Sequence, residues 1–165
     1  MEPCPEVEIR KLQHTDEAEI CARMMVNSEP WVTLGQDYIA WLEIVTDPSR
    51  EVYLAFVDHK ITGFIILHLQ GIFNGYIQSV CVAPKWRNKG IGSRLMTFAE
   101  RRILSETRNV FICVSTFNQD ARRLYERLGY EIIGEPEDSE ILLRKTITLK
   151  QEDHQNLSDG EDHGS

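Results

Sequence analysis

The chain has 165 residues, of which 42% are hydrophobic, and a formal net charge of −8 at pH 7. A single domain of this size can bury a sizeable core, and the acidic balance argues against a protein whose main task is to hold a nucleic-acid backbone. No apolar run approaches the roughly 20 residues of a membrane-spanning helix, and the first residues lack the basic-then-apolar pattern of a secretion signal. We therefore expect a cytoplasmic protein that acts away from membranes.

Charge is unevenly distributed along the chain. Residues 151–165 contain five acidic residues and no Lys or Arg, which is typical of a disordered tail behind a domain formed by residues 1–150. Between Lys85 and Arg102, six basic residues face a single acidic one, Glu100, so a small polyanion is expected to bind there. The four cysteines form no C-x-x-C pair, which indicates reduced, buried thiols rather than a metal site or a disulfide framework.

The first half of the chain predicts a strand, two helices and a hairpin. Residues 7–11 alternate like a strand, and Thr15 starts a helix that runs to about Met25. Apolar residues at helical spacing predict a second helix over 35–46, before Asp47-Pro48. β-branched and aromatic residues then predict two antiparallel strands, 52–57 and 61–69.

The second half predicts two strand-to-helix units and a closing pair of strands. The units are a strand over 76–82 with a helix over 90–105, and a strand over 110–114 with a helix over 121–128. The closing strands are expected at 130–134 and 141–149. This order implies an α/β fold in which a mixed sheet carries helices on both faces.

The segment from Arg87 to Gly92 has the properties of a phosphate-binding loop. A strand turns into a helix through two glycines, Gly90 and Gly92, so unpaired amide N–H groups and the positive end of the helix face one point. Glycine admits an anion close to the backbone, and Lys89 adds charge at the rim. The spacing fits neither a P-loop nor a dinucleotide fingerprint, and by itself the segment also suits a tight turn without a ligand.

Two motifs in this half resemble the GNAT superfamily of acetyl-CoA-dependent N-acetyltransferases. Residues 80–95, VCVAPKWRNKGIGSRL, resemble motif A of that family, and residues 118–130, NQDARRLYERLGY, resemble motif B. Each motif falls on the element that the family requires, and together the resemblance covers about residues 50–150. It implies a GNAT-like fold whose mostly antiparallel mixed sheet has splayed central strands.

The resemblance also implies where acetyl-CoA binds. The CoA pyrophosphate would lie on the amides of the motif A loop, and the pantetheine arm along the central strand, with the thioester in the gap between about Val82 and Val114. Asn118 resembles the family asparagine that bonds the pantetheine, although a helix N-cap is an equally good explanation of it. The implied cofactor-binding residues are Val80, Cys81, Val82, Arg87, Asn88, Lys89, Gly90, Ile91, Gly92, Ser93 and Asn118.

For the chemistry, the resemblance implies direct attack of a primary amine on the thioester in a ternary complex. Tyr125 matches the motif B tyrosine that protonates the leaving thiolate, although its helical spacing also fits a core residue. Many relatives carry a carboxylate where this chain has Gln78, so the base stays open between Glu29, His68, Glu140 and water. Acidic residues over 135–140 would attract a cationic amine or simply be solvated.

Two other classes of function stay open. The chain could be a noncatalytic acyl-CoA-binding or regulatory module, or an interaction domain whose acidic tail recruits a basic partner. For an enzyme, nothing in the sequence selects the acceptor among small amines and protein N-termini. The resemblance leaves open whether the chain works as a monomer or as a homodimer.

Overall fold

The computed structural model describes residues 5–148, which form seven strands, five α-helices and one turn of 3-10 helix, Pro84–Trp86. The strands are β1 Glu8–Lys11, β2 Glu51–Val57, β3 Lys60–His68, β4 Tyr76–Val82, β5 Asn109–Ser115, β6 Glu131–Ile132 and β7 Glu140–Thr146. The helices are α1 Thr15–Val26, α2 Trp31–Leu34, α3 Tyr38–Thr46, α4 Ile91–Leu104 and α5 Gln119–Arg127. The acidic segment 151–165 lies outside the described residues, so its disorder stays a prediction. Among the helices of residues 5–148, none has the length and apolarity needed to cross a membrane.

All seven strands belong to one sheet in the order β1-β2-β3-β4-β5-β7-β6. Every neighbouring pair is antiparallel except β4 and β5, which run parallel. β4 and β5 have seven residues each, yet they pair only through Tyr76 with Phe111 and Ile77 with Ile112. The strands therefore separate toward their carboxyl ends, and we call this gap the fork. The predicted mixed, mostly antiparallel sheet with splayed central strands is confirmed.

Helices cover both faces of the sheet, as predicted. On one face, α4 and α5 pack against β2 to β5 and β7, and the apolar positions of α4 recur every three or four residues because they face this core. Four of these positions, Ile91, Leu95, Ala99 and Ile103, are at most 1% exposed. On the other face, α1, α2 and α3 pack against β2, β3 and Cys81 of β4.

β4 carries a bulge at the point where it leaves β5. Ile66 of β3 opposes Ser79, and the next residue, Leu67, opposes Ile77, so Gln78 has no partner in β3. A bulge of this kind locally turns a strand and re-aims the side chain of the extra residue. Gln78 therefore lies at the base of the fork. The bulge gives its side chain a different orientation from the one that regular alternation along β4 would give.

Several predicted boundaries differ from the structure by one to three residues, among them the last strand, which ends at Thr146, and α2 falls where a loop was predicted. Two of the differences have a clear local cause. The helix expected over 35–46 starts only at Tyr38, because Gly35 has a φ of 71° and ends the short α2. Asp37 then caps α3 by accepting a hydrogen bond from the Ala40 N–H at 2.9 Å. The strand expected over 130–134 is reduced to β6, since Gly134 turns the chain with a φ of 74°.

Candidate active site

The N-terminus of α4 presents free amide groups beside the fork. Gly90 is its N-cap residue, and the first bond of the helix runs from the Arg94 N–H to the Gly90 carbonyl at 3.1 Å. The N–H groups of Ile91, Gly92 and Ser93 come before this first bond and lack an intrahelical acceptor. The helix dipole adds partial positive charge at the same point. This arrangement can hold a phosphate group.

The two glycines of this loop have different environments. Gly90 has a φ of 82°, and a Cβ built on it would meet no atom within 4 Å. Glycine is therefore needed there for its backbone conformation and for the open space in front of it. A Cβ on Gly92 would lie 3.7 Å from Leu124 and 3.8 Å from Val82, an ordinary packing distance. Gly92 thus faces the junction of α4, α5 and β4.

Basic side chains surround the loop. The Arg87 Nε donates to the Val82 carbonyl at 3.1 Å, and the Lys89 Nζ lies 5.4 Å from the centre of the Trp86 ring. Asn88, between them, is exposed and has a φ of 61°. Arg94 and Arg101 continue the positive charge along α4, where they line a cleft of about 320 Å³. The local positive potential suits a polyanionic ligand.

Residues 80–82 form the side of β4 that borders the fork. Val80 and Val82 are half-buried and pack against the core under α4. The Cys81 side chain is 3% exposed and faces α1 on the opposite side of the sheet. Burial raises the pKa of Cys81 to about 11, so the thiol stays protonated at neutral pH. Only the backbone of Cys81 can therefore contribute to a ligand in the fork.

Asn118 and Tyr125 both belong to the α5 segment. The Asn118 Oδ1 accepts a hydrogen bond from the Ala121 N–H at 3.3 Å, so the residue is an N-cap. Tyr125 is 7% exposed in the core shared by α4, α5 and the sheet, with its ring 6.1 Å from that of Tyr130. Burial raises the pKa of the Tyr125 phenol, which keeps the hydroxyl protonated at neutral pH.

The Tyr125 hydroxyl is the part of this side chain that matters for chemistry. Across residues 5–148, the one fully buried side-chain N or O atom without a hydrogen-bond partner is Trp41 Nε1. The Tyr125 hydroxyl has no hydrogen-bond partner among these residues. A buried ring whose hydroxyl has no partner in the protein suits a group that meets a ligand.

A polar cluster lies at the base of the fork on the α3 side of the sheet. The Arg50 Nε donates to the Gln78 Oε1 at 2.6 Å, and the Arg50 Nη1 forms an ion pair with Asp47. Asp47 Oδ1 accepts from both the N–H and the hydroxyl of Ser49 at 2.8 Å. These bonds hold the pKa of Asp47 below its ordinary value, with smaller contributions from the charges of Arg50 and His68. The Asp47 carboxylate is therefore ionised at neutral pH and already accepts bonds from Ser49 and Arg50, which makes it a poor proton acceptor.

A second group lies at the closed end of the fork, where Tyr76 of β4 approaches Cys113 of β5. Burial raises the pKa of Tyr76, and the Cys113 thiol and the charge of Glu140 raise it further. The same burial raises the pKa of Cys113, and the Glu140 charge adds to the shift. Glu140 itself is exposed and pairs with Ser115 at the open end of β5. Its carboxylate is thus placed at the rim of the fork.

The three candidate bases are not equivalent in the structure. His68 is half-buried beside the Asp47 cluster, and Glu140 lies near Tyr76 and Cys113. The Glu29 carboxylate instead accepts from the Thr33 hydroxyl at 2.6 Å and from its N–H at 3.3 Å. Glu29 therefore bonds the first turn of α2, whose N-cap residue is Pro30, and it follows Ser28, which hydrogen-bonds the Cys81 thiol of β4.

Sequence reasoning did not single out Arg50, Tyr76 or Cys113. Arg50 is 28 positions from Gln78, so no local pattern connects them. Tyr76 and Cys113 are likewise brought together only by the pairing of β4 with β5. The Asp47-Pro48-Ser49-Arg50 segment is typical of a chain reversal, but nothing in it connects Arg50 to Gln78.

Comparison with known proteins identifies the family of this arrangement. The model of the acetyltransferase (GNAT) family matches residues 12–130. The chain belongs to this family. The predicted membership of the GNAT family is confirmed. The fork and the free amides of α4 are the elements that the resemblance to motif A implied.

Curated relatives match this GNAT domain over part of their length. GCN5-related N-acetyltransferase 6, chloroplastic, of Arabidopsis thaliana is 37% identical over 60 residues, which are 36% of this chain and 21% of that protein. The aminoalkylphosphonate N-acetyltransferase of Salmonella typhimurium is 31% identical over 91 residues, which are 52% of this chain and 59% of that protein. The chain thus spans about a fifth and about three fifths of the length of these two relatives.

Solved structures share the fold over most of the chain. A GNAT-family acetyltransferase structure from Desulfovibrio desulfuricans has a TM-score of 0.72 at 20% identity, covering 86% of this chain and 99% of its own. The Thermoplasma acidophilum PaiA N-acetyltransferase, crystallised with coenzyme A, has a TM-score of 0.69 at 20% identity, covering 86% and 99%. The predicted enzyme class, an acetyltransferase of GNAT type, and the predicted cosubstrate, acetyl-CoA, are confirmed at the level of the family.

Proposed function

We propose that this protein transfers the acetyl group of acetyl-CoA to a primary amine by direct attack within a ternary complex. The observation that carries the proposal is the fork, because β4 and β5 are seven residues long and pair through only two of them. An opening of this kind through the middle of a sheet lets two ligands meet from opposite faces. The free amides of α4 lie on one face, and the polar cluster of Arg50 and Gln78 lies on the other.

The motif A loop is proposed to bind the pyrophosphate. The N–H groups of Ile91, Gly92 and Ser93 supply the donors, and Arg87, Asn88 and Lys89 supply the rim. The pantetheine arm then follows the backbone of residues 80–82 into the fork. Asn118 can cap α5 through Oδ1 and still offer its Nδ2 to this arm, because the cap uses only the oxygen.

The acetyl transfer itself requires a neutral amine. The nitrogen lone pair attacks the thioester carbon, the carbon–sulfur bond then breaks, and the products are an N-acetylated amine and CoA. The leaving thiolate takes a proton from the Tyr125 hydroxyl, which is protonated at neutral pH. The proton released by the amine passes to Glu29, His68, Glu140 or water on the acceptor side.

The acceptor is proposed to be a small amine. The Salmonella relative is named for an aminoalkylphosphonate, and one of the solved neighbours is named an aminoglycoside 6'-acetyltransferase, with a TM-score of 0.71 at 21% identity. Both names describe small-molecule amines, which supports beginning a screen with compounds of this class. The exposed acidic residues over 135–140 add negative charge near the rim and favour a cationic molecule on approach.

The test is acetyl-CoA-dependent release of free CoA with a panel of amines, followed by Tyr125→Phe. We expect turnover of this variant to fall by roughly 10²–10⁴-fold, while acetyl-CoA affinity changes little. Tyr53→Phe is the matched control, because Tyr53 lies in the same core but its hydroxyl bonds Glu51 at 2.6 Å. Undiminished turnover of Tyr125→Phe, with chemistry limiting the rate, would remove Tyr125 from the mechanism. Binding of acetyl-CoA with no turnover on any amine would support the noncatalytic module instead.

A further inference from the structure

The Gln78 side chain is held by a chain of hydrogen bonds that starts in the turn between α3 and β2. Ser49 fixes Asp47, Asp47 pairs with Arg50, and the Arg50 Nε donates to Gln78 at 2.6 Å. The Arg50 side chain is 19% exposed and the Asp47 side chain 32% exposed, so the ion pair is partly shielded from water. Each member of this chain limits the movement of the next.

These contacts determine which end of the Gln78 amide is free. An arginine side chain has only donors, so the atom it contacts must be the amide oxygen. Gln78 Nε2 then points away from Arg50, and no acceptor for it is found among residues 5–148. The position that carries a carboxylate in many relatives thus offers two N–H donors and no proton-accepting group.

The free donors lie on the side from which an acceptor must arrive. Gln78 is the bulged residue of β4, immediately after the last residue of β4 that pairs with β5, Ile77. Its partner Arg50 follows α3, which packs on the face opposite α4. Since the phosphates of CoA are proposed to bind at α4, the Gln78 amide faces the other entrance of the fork.

We propose that Gln78 binds the acceptor through its N–H groups, with Arg50 as the residue that positions it, and that the acceptor carries an oxygen close to its amine. This inference rests on the proposed function. An oxygen of an ether, carbonyl, hydroxyl or phosphonate group can accept from the Gln78 N–H groups. A plain alkylamine or a protonated polyamine offers no such atom and would leave the half-buried donors unpaired, a loss that makes a polar site selective.

The experiment compares two acceptors of equal length, 2-methoxyethylamine and butylamine, in which an ether oxygen of the first replaces one methylene of the second. For wild type we expect kcat/KM to be about tenfold higher with the methoxy compound. Gln78→Leu should bring this ratio close to that of the two amines' intrinsic reactivities. Arg50→Met should lower the ratio in the same direction, and Arg50→Lys, which can still donate to the Gln78 oxygen, should restore part of it. The difference in basicity between the two amines cancels, because every variant is tested with the same pair.

Arg23→Met is the matched control, since Arg23 is an exposed residue of α1 paired with Glu19, and its ratio should equal that of wild type. The rise in melting temperature with acetyl-CoA should be the same in Gln78→Leu, Arg50→Met and wild type, because the change is confined to the acceptor side. A ratio that survives in Gln78→Leu overturns the inference while leaving acetyl transfer intact. If wild type releases CoA with none of the amines in the panel, both the proposed function and this inference are overturned.

Discussion

Replacement of Gly90 separates the backbone requirement of the phosphate loop from its role in binding. Gly90 has a φ of 82°, a conformation that costs an alanine about 1–2 kcal/mol. In a domain of this size, each kcal/mol lowers the melting temperature by about 2–4 °C. Because a Cβ at Gly90 meets no atom within 4 Å, no steric clash adds to this cost. Gly90→Ala should therefore fold with only a modest loss of stability.

The same Cβ should weaken acetyl-CoA binding, because it projects into the open space in front of the α4 amides. A ligand present at 100 times its Kd stabilises a protein by about 2.7 kcal/mol. Each tenfold loss of affinity removes about 1.4 kcal/mol of that stabilisation at constant ligand concentration. The thermal shift with acetyl-CoA should thus shrink in Gly90→Ala and shrink further in Gly90→Val.

Two other glycines provide the controls for a thermal-shift assay. Gly35 and Gly134 have φ values of 71° and 74°, and a Cβ on either meets no atom within 4 Å. Gly35→Ala and Gly134→Ala should lose as much intrinsic stability as Gly90→Ala but keep the full shift with acetyl-CoA. Equal shifts in wild type and Gly90→Val would show that the anion does not bind at this loop.

Two further predictions concern stability. Glu17 accepts hydrogen bonds from Arg10 and from the Gln13 and His14 N–H groups, which lowers its pKa to about 2 from 4.5. Ionised Glu17 therefore contributes its full share of the free energy of unfolding above about pH 4.5 and loses it as the pH falls toward 2. In urea unfolding, Glu17→Gln should lower the free energy of unfolding by about 1–3 kcal/mol at pH 7 and by little at pH 2. A Cβ on Gly75 would lie 2.4 Å from the Asn109 carbonyl at a φ of 90°, so Gly75→Ala should cost more than Gly134→Ala, roughly 2 kcal/mol or more; equal losses would contradict the clash.

The elements were predictable wherever local signals agreed with one another. The helical spacing of Ile91, Leu95 and Ile103 predicted α4 because the same residues face the core under it. The two glycines of the loop marked its N-terminus because backbone conformation is a local property. Boundaries were less predictable where weak signals competed, as at α3, where Gly35 and Asp37 placed the start three residues later than expected.

Within the candidate site, only the loop proposed to bind acetyl-CoA was predictable for the same reason. Residues 87–93 are contiguous, so their amides, charges and glycines could be recognised together in one segment of sequence. Tyr125 and Asn118 were accessible only through the resemblance of motif B, because their local spacing fits a core residue and an N-cap equally well. Their burial and cap geometry agree with both roles, and Tyr125→Phe is the measurement that separates them.

The acceptor side depends on contacts between distant segments. The strands β4 and β5 separate after two residue pairs, and no periodicity in either strand encodes this separation. The bulge at Gln78 arises from its register with β3, and the bond to Arg50 joins positions 28 residues apart. The amino-acid sequence by itself determined the order of elements apart from the short α2, and it marked the proposed phosphate loop, since both depend on neighbouring residues. Only the tertiary structure decided which side chains surround the fork, because that depends on the register and separation of strands formed by remote parts of the chain.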